Sequence, residues 1–165
     1  MAVNDDSQAS HEVTRINENK ENTGEMREQI LRYFPCEETD IRTYSPLTLA
    51  FLGDAVFSLV IRTITVSKGN RQAHKLHDET KTYVSAQGQA KIADCILPLL
   101  SGQEAAVYKR GLNANPYHHA KNASWEEYRK ATALEALFGW LYLSGGTERI
   151  LELLRCGVLS INVTE

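Results

Sequence analysis

Two carboxylates stand where carboxylates are costly. Asp54 lies in the stretch Leu49-Ala-Phe-Leu-Gly-Asp-Ala-Val-Phe57, and Glu135 in Ala133-Leu-Glu-Ala-Leu-Phe-Gly139. On a helix, neighbours on one face are three and four positions apart. For Asp54 these are Ala50, Phe51, Phe57 and Ser58; for Glu135 they are Ala131, Thr132, Phe138 and Gly139. Each acid is therefore expected on the apolar face of a hydrophobic helix, with small residues one turn above and below and no cation at helical spacing. Burying an unpaired carboxylate costs on the order of several kcal/mol, comparable with the stability of a whole domain. Compensation can come from a distant arginine such as Arg62 or Arg129, from protonation, from a helix N-terminus or from a bound cation. Two acids with cleared space suit convergence on one hydrated divalent ion. Hard oxygen ligands and room for retained water favour Mg²⁺, with Mn²⁺ as a substitute, over Zn²⁺. Such an ion orients and acidifies water and contacts phosphate, so a phosphodiester can be hydrolysed without a side-chain nucleophile.

The elements that must position these acids are helical. Ser45-Pro46 is an N-cap followed by proline at the first helical position, which predicts a helix from Leu47 to about Val66, stopped by Lys68-Gly69-Asn70. Further helices are expected over about 71–86, 87–97 (ending at Pro98) and 103–112, the last opened by Ser101-Gly102. A polar loop covers Asn113 to Asn122. Ser124 and Glu127 form a capping box for a helix to about Leu143, and after Gly145-Gly146 a cap at Thr147 opens a last helix to about Cys156. Upstream, Met26, Ile30, Leu31 and Phe34 mark a short amphipathic helix before Pro35, with a loop over 36–44. No two-residue apolar period appears, so the expected fold class is all-α. The organisation read from this is a disordered acidic tail (1–24), a short helix and linker (25–44), a folded domain (45–157) and a C-terminal tail (158–165).

Composition narrows the class. The chain has 165 residues, of which 42% are hydrophobic and 24% charged, enough to fold without a disulfide or metal. The net charge of −3 hides an asymmetry. Residues 1–43 carry five Lys/Arg against ten Asp/Glu, whereas 44–165 carry thirteen against eleven. The folded part is mildly basic and permits phosphate binding. Cys36, Cys95 and Cys156 are odd in number and widely spaced, which argues against a disulfide framework or zinc site and fits a cytoplasmic protein. The N-terminus has no apolar signal stretch. The apolar run from Leu47 to Val66 is broken by Gly53, Asp54 and Arg62, so a buried helix is expected rather than a membrane span.

The two acid-bearing motifs, some eighty residues apart on helices of an all-α chain, resemble the two signature helices of the ribonuclease III catalytic domain. The likeness covers about residues 45–157. No stretch long enough for a double-stranded-RNA-binding domain follows Val158, so the chain resembles the catalytic-domain-only Mini-ribonuclease III branch. Leu76-His77, Val84-Ser85-Ala86, Gln89-Ala90 and Lys109-Arg110-Gly111-Leu112-Asn113-Ala114 are similar to that branch as well. The resemblance implies a helical, Mg²⁺-dependent endoribonuclease with Asp54 and Glu135 as catalytic and metal-holding residues. It further implies a homodimer that cuts double-stranded RNA to 5′-phosphate and 3′-hydroxyl ends, in maturation of the large-subunit (23S) ribosomal RNA precursor, with no nucleotide cofactor. Ordinary ribonuclease III carries two further acids, where this chain has Ala50 and Thr132; more of the ion's shell must then be water.

Duplex RNA is read through phosphates and 2′-hydroxyls. The candidate RNA-binding residues are Lys75, His77, Lys81, Lys109, Arg110, Asn113, His118, Lys121 and Arg129, with Ser85 and Gln89 added by the resemblance alone. Any single lysine is more often part of a solvated face, and His77 is as readily a packing histidine as an RNA contact. Phe51 and Phe57 flank Asp54 and are candidates for a dimer interface or for ordinary core. Tyr128 reads as packing. Three rival readings fit the residues: a non-catalytic helical RNA-binding or assembly protein with a decayed site, a helical nucleotide hydrolase, and a purely structural bundle. The hydrolase reading has only His77-Asp78 as an HD pair, and the bundle leaves the two bare acids unexplained.

Overall fold

The computed structural model describes residues 26–37, 39–114 and 124–162. The acidic tail expected to be disordered, and His118 and Lys121 of the polar loop, lie outside the described residues. The chain divides into two units, residues 1–38 and 39–165. In the first, α1 (Met26–Tyr33) is the expected amphipathic helix, with the Arg32 guanidinium 5.4 Å from the centre of the Tyr33 ring.

In the second unit, every regular element among the described residues is helical. A short 3₁₀ turn, Ile41–Thr43, sits in the expected linker and is capped by Asp40. Helix α2 (Pro46–Ser67) begins as its sequence dictates, with the Ser45 hydroxyl accepting from the Thr48 amide at 3.1 Å and Pro46 in the first turn. Helix α3 (Ala73–Val84) starts two residues later than expected. Arg71 is drawn off to bond the Thr65 carbonyl (2.9 Å) and Glu79 (2.6 Å), which fixes the α2–α3 turn. Helix α4 (Ala86–Ile96) follows at once, capped by Ser85, and a 3₁₀ turn around Pro98 leads to α5 (Gly102–Leu112). Both α5 and α6 (Trp125–Leu143) open with complete capping boxes, Ser101/Glu104 and Ser124/Glu127.

Helix α7 (Thr147–Asn162) differs from expectation at both ends. Thr147 is its first residue rather than its cap, and it runs six residues beyond Cys156. The expected tail from 158 is thus helical as far as Asn162. The reason lies in Gly157, which looks like a stop in sequence and serves as a contact in space. A Cβ there would stand 2.5 Å from Ile92 Cγ2. The buried stripe Ile150, Leu153, Leu154, Gly157 and Ile161 continues the helical period past it. The Tyr83 hydroxyl donates to Asn162 Oδ1 at 2.6 Å and ties the last turn down. At the other end, Arg149 bonds both oxygens of the buried Glu104 (2.8 and 3.1 Å) and the Leu99 carbonyl.

Helix α6 is the axis of the core: Ala131 to Leu134, Ala136 to Gly139 and Leu141 are all buried. Helices α2, α4 and α5 pack around it, and α7 packs on α4. Phe57 corrects an expectation. It is fully buried and stacks on Phe138 with ring centres 6.0 Å apart, so it is core and takes no part in an interface. Helix α2 is long and apolar enough by length and composition to cross a membrane, but its Leu49, Phe57 and Ile61 are spent on this core. Sequence spacing also missed one pairing: Cys95 on α4 and Cys156 on α7 bring their sulfurs to 3.5 Å as free thiols.

Candidate active site

Helices α2 and α6 approach each other backbone to backbone. A Cβ on Gly53 would collide with the backbone carbonyl of Glu135, and one on Gly139 with the carbonyl of Leu49. Two glycines, one in each motif, thus let two helix backbones touch. Asp54 and Glu135 are brought to one cleft by that contact.

The cleft has a volume of about 580 Å³. Ala50, Phe51, Asp54 and Ala55 of α2, Tyr128, Ala131, Thr132 and Glu135 of α6, and Gln89 of α4 contribute to its lining. Asp54 is exposed, contrary to the expectation of a buried acid. Ala50, Gly53 and Phe57 form the buried face of α2, and Asp54 lies about 100° round the helix from Gly53, which sets it at the cleft's edge. Glu135 is the half-buried partner. Burial pushes its carboxyl up to about 7 from an ordinary 4.5, the Gln89 amide opposes the shift, and the negative charge of Asp54 adds to it. Gln89 Nε2 donates to Glu135 Oε1 at 3.0 Å and to the Val84 carbonyl at 3.3 Å.

Neither acid is ion-paired with a cation among the described residues. The guanidinium of Arg129, one of the two proposed neutralisers, bonds the Leu112 carbonyl (2.7 Å) and Asn113 Oδ1 instead, and Arg62 is exposed on α2. No cluster of three or more Asp, Glu, His or Cys that could hold a metal occurs among the described residues. Ala50 and Thr132 are both buried walls beside the two acids and leave room where larger side chains would intrude. The donor set is two carboxylates, one raised by burial and by the other's charge. That arrangement fits a hard divalent cation, which would lower the cost of having both ionised.

The RNA candidates divide. Lys75, His77 and Lys81 are exposed on α3, and Lys109 and Arg110 are exposed near the end of α5. Arg110 donates to the Tyr44 carbonyl at 2.9 Å, while Asn113 caps α5 and meets Arg129. Ser85 spends its hydroxyl on the cap of α4. None of these lines the cleft. Gln89 alone of the set does, and it is buried, in contact with the carboxylate. That contact had no signal in sequence, because Gln89 and Glu135 lie 46 residues apart. Phe51 is 86% exposed at the cleft, and Tyr128 lines it while stacking on Trp125.

Kinship agrees with this geometry. The ribonuclease III domain profile matches residues 47–146. Mini-ribonuclease 3 of Brevibacillus brevis is 47% identical over 111 residues, covering 67% of this chain and 83% of its own. Mini-ribonuclease 3 of a Thermoanaerobacter species is 43% identical over 125 residues, covering 76% and 86%. A crystal structure of a protein from Fusobacterium nucleatum superposes with a TM-score of 0.67 at 36% identity, over 72% of this chain and 96% of that one. With two acids on glycine-crossed helices and matches of this extent, the chain belongs to the ribonuclease III family of endoribonucleases, in its Mini-ribonuclease III branch.

Proposed function

We propose that this endoribonuclease cuts double-stranded RNA as a Mg²⁺-dependent homodimer, in the cytoplasm, with stems at the ends of the large-subunit (23S) ribosomal RNA precursor as its substrate. The observation that carries the reading is the pair Asp54 and Glu135 in one cleft, uncompensated by any cation among the described residues. Asp54 and Glu135 would hold the ion. When bound, a divalent ion supplies Lewis acidity toward the phosphate and an acidified water. The protein's own part is to keep two carboxylates at a fixed separation through the Gly53–Gly139 crossing and to leave open space beside them at Ala50 and Thr132. The exposed cations of α3 and α5 supply charge for the RNA backbone.

The dimer reading is supported by exposed apolar side chains on one side of α2. Phe51 (86% exposed), Leu59 and Val66 lie within about 80° of one another around the helix, with the exposed Arg62 among them, and exposed apolar side chains gathered on one side of a helix suit an association surface. Two copies related by a two-fold axis would present two clefts to the two strands of a duplex. The test is incubation of duplex RNA with and without Mg²⁺, comparing wild type with Asp54→Asn. Metal-dependent products bearing 5′-phosphates, absent with the variant, are the expected result. Equal cleavage by the variant overturns the reading.

A further inference from the structure

We infer that Gln89 is a positioning residue of the active site: its side-chain amide anchors one oxygen of Glu135 and leaves the other free to hold the divalent ion. The inference rests on the metal reading above.

Gln89 is 2% exposed, on the first turn of α4. Both of its amide protons are engaged, one on the Val84 carbonyl and one on Glu135 Oε1. Its own Oε1 is buried and accepts no hydrogen bond from the described residues. The orientation of the amide is nevertheless dictated, because turning it over would face its oxygen toward a carbonyl and a carboxylate. A buried acceptor without a partner works against stability, and this one comes with the two bonds that the same amide donates to the Val84 carbonyl and to Glu135. The arrangement therefore serves Glu135 at the expense of Gln89.

Local sequence makes the reach possible. Ser85 starts α4 immediately after α3 ends, and Gly88 allows the turn to close tightly, since a Cβ there would collide with the Thr82 carbonyl. Gln89 is thereby fixed from both sides, to the end of α3 and to the middle of α6. With Oε1 of Glu135 engaged, Oε2 has no hydrogen-bond partner among the described residues and is the atom available to a ligand. Groups that orient a metal-holding side chain in this way typically contribute a factor of about 10 to 100 in metal affinity.

The experiment is a Mn²⁺ titration of the full chain without RNA, followed by electron paramagnetic resonance at pH 8, with thermal unfolding of each protein alongside. Wild type is compared with Asp54→Asn, Glu135→Gln, Gln89→Leu and Gln89→Asn. Gln89→Leu should bind Mn²⁺ about tenfold more weakly or worse at a temperature well below its own unfolding transition, where it is as fully folded as wild type. Gln89→Asn keeps the amide, is one methylene too short to span both acceptors, and should show the same loss of affinity. Wild-type affinity in both Gln89 variants, with weakened binding in Glu135→Gln, overturns the inference and leaves the metal reading intact. Affinity that is lost in Gln89→Leu and Gln89→Asn only at temperatures where those variants have begun to unfold also overturns it. Undiminished binding in Asp54→Asn and Glu135→Gln overturns the metal reading and this inference together.

Discussion

Gly53 of α2 rests against the backbone carbonyl of Glu135 on α6, with no room for a single methyl group between them. The residue that follows the glycine and the residue that owns the carbonyl are the two acids of the cleft. Helix contact and site geometry are therefore one feature.

Gly53→Ala should accordingly fail in two ways. Backbone on both sides cannot yield as a flexible side chain would, so the cost should reach about 3 kcal/mol, the upper part of the range for overpacking. Whatever folds should cleave poorly, because α2 must move outward and carry Asp54 with it. Gly139→Ala, which meets the Leu49 carbonyl, should behave alike. Thermal unfolding and a duplex-RNA cleavage assay read both effects.

Asp54→Asn separates chemistry from folding. The side chain is exposed and has no ion-pair partner among the described residues, so stability should change by no more than about 0.5 kcal/mol. Cleavage should fall by about a thousandfold or more, equivalent to roughly 4 kcal/mol of lost transition-state stabilisation.

Glu135 makes stability depend on pH in a definite direction. Its carboxyl is pushed up to about 7 in the folded chain from an ordinary 4.5, chiefly by burial. Between those values the folded state holds a proton that the unfolded state has released, so stability must fall as pH rises through this window. Glu135→Gln removes the titration. In the absence of divalent metal, the variant should be more stable than wild type at pH 8, by up to about 3 kcal/mol, and the advantage should vanish near pH 4. Melting curves in a chelator across pH 4–8 measure it. In wild type, metal affinity should weaken as pH drops below about 7, because proton and metal compete for one carboxylate.

The two phenylalanines of the first motif should part company. Phe57→Ala opens the core against Phe138 and should cost about 3–5 kcal/mol. Phe51→Asp should leave the fold stable, since Phe51 is almost wholly exposed. In sedimentation, it should shift the chain toward the monomer. A Phe51→Asp protein that sediments as wild type removes this face from the proposed interface.

RNA affinity should be steeply salt-dependent. For each phosphate contact the logarithmic slope is about 0.7–0.9 in the better-studied nucleic acids. Lys109→Ala, tested in the Asp54→Asn background by binding across ionic strength, should reduce the slope by about one contact and leave melting unchanged.

Much of this was legible in the amino-acid order, because it depends on near neighbours. Ser45-Pro46, the Ser124/Glu127 box and the 3.6-residue apolar stripes place helix starts and faces through contacts within four residues. They yield the all-α class and put Asp54 and Glu135 each on a long apolar helix. The last helix, expected to end near Cys156, runs on to Asn162 because Gly157 is a contact surface in packing. Phe51 and Phe57 were read as a pair, although a helix turns about 100° per residue and only one of them faces α6.

Tertiary structure decided what local order leaves open. The exposure of Asp54, the high proton affinity of Glu135 and the grip of Gln89 upon it arise between residues far apart in the chain. Their energies depend on solvent exclusion and on distance through space, neither of which is encoded in spacing along a strand of residues. The amino-acid sequence alone determined which groups could do chemistry. How dry and how close those groups lie was determined by two glycines that let α2 and α6 meet backbone to backbone.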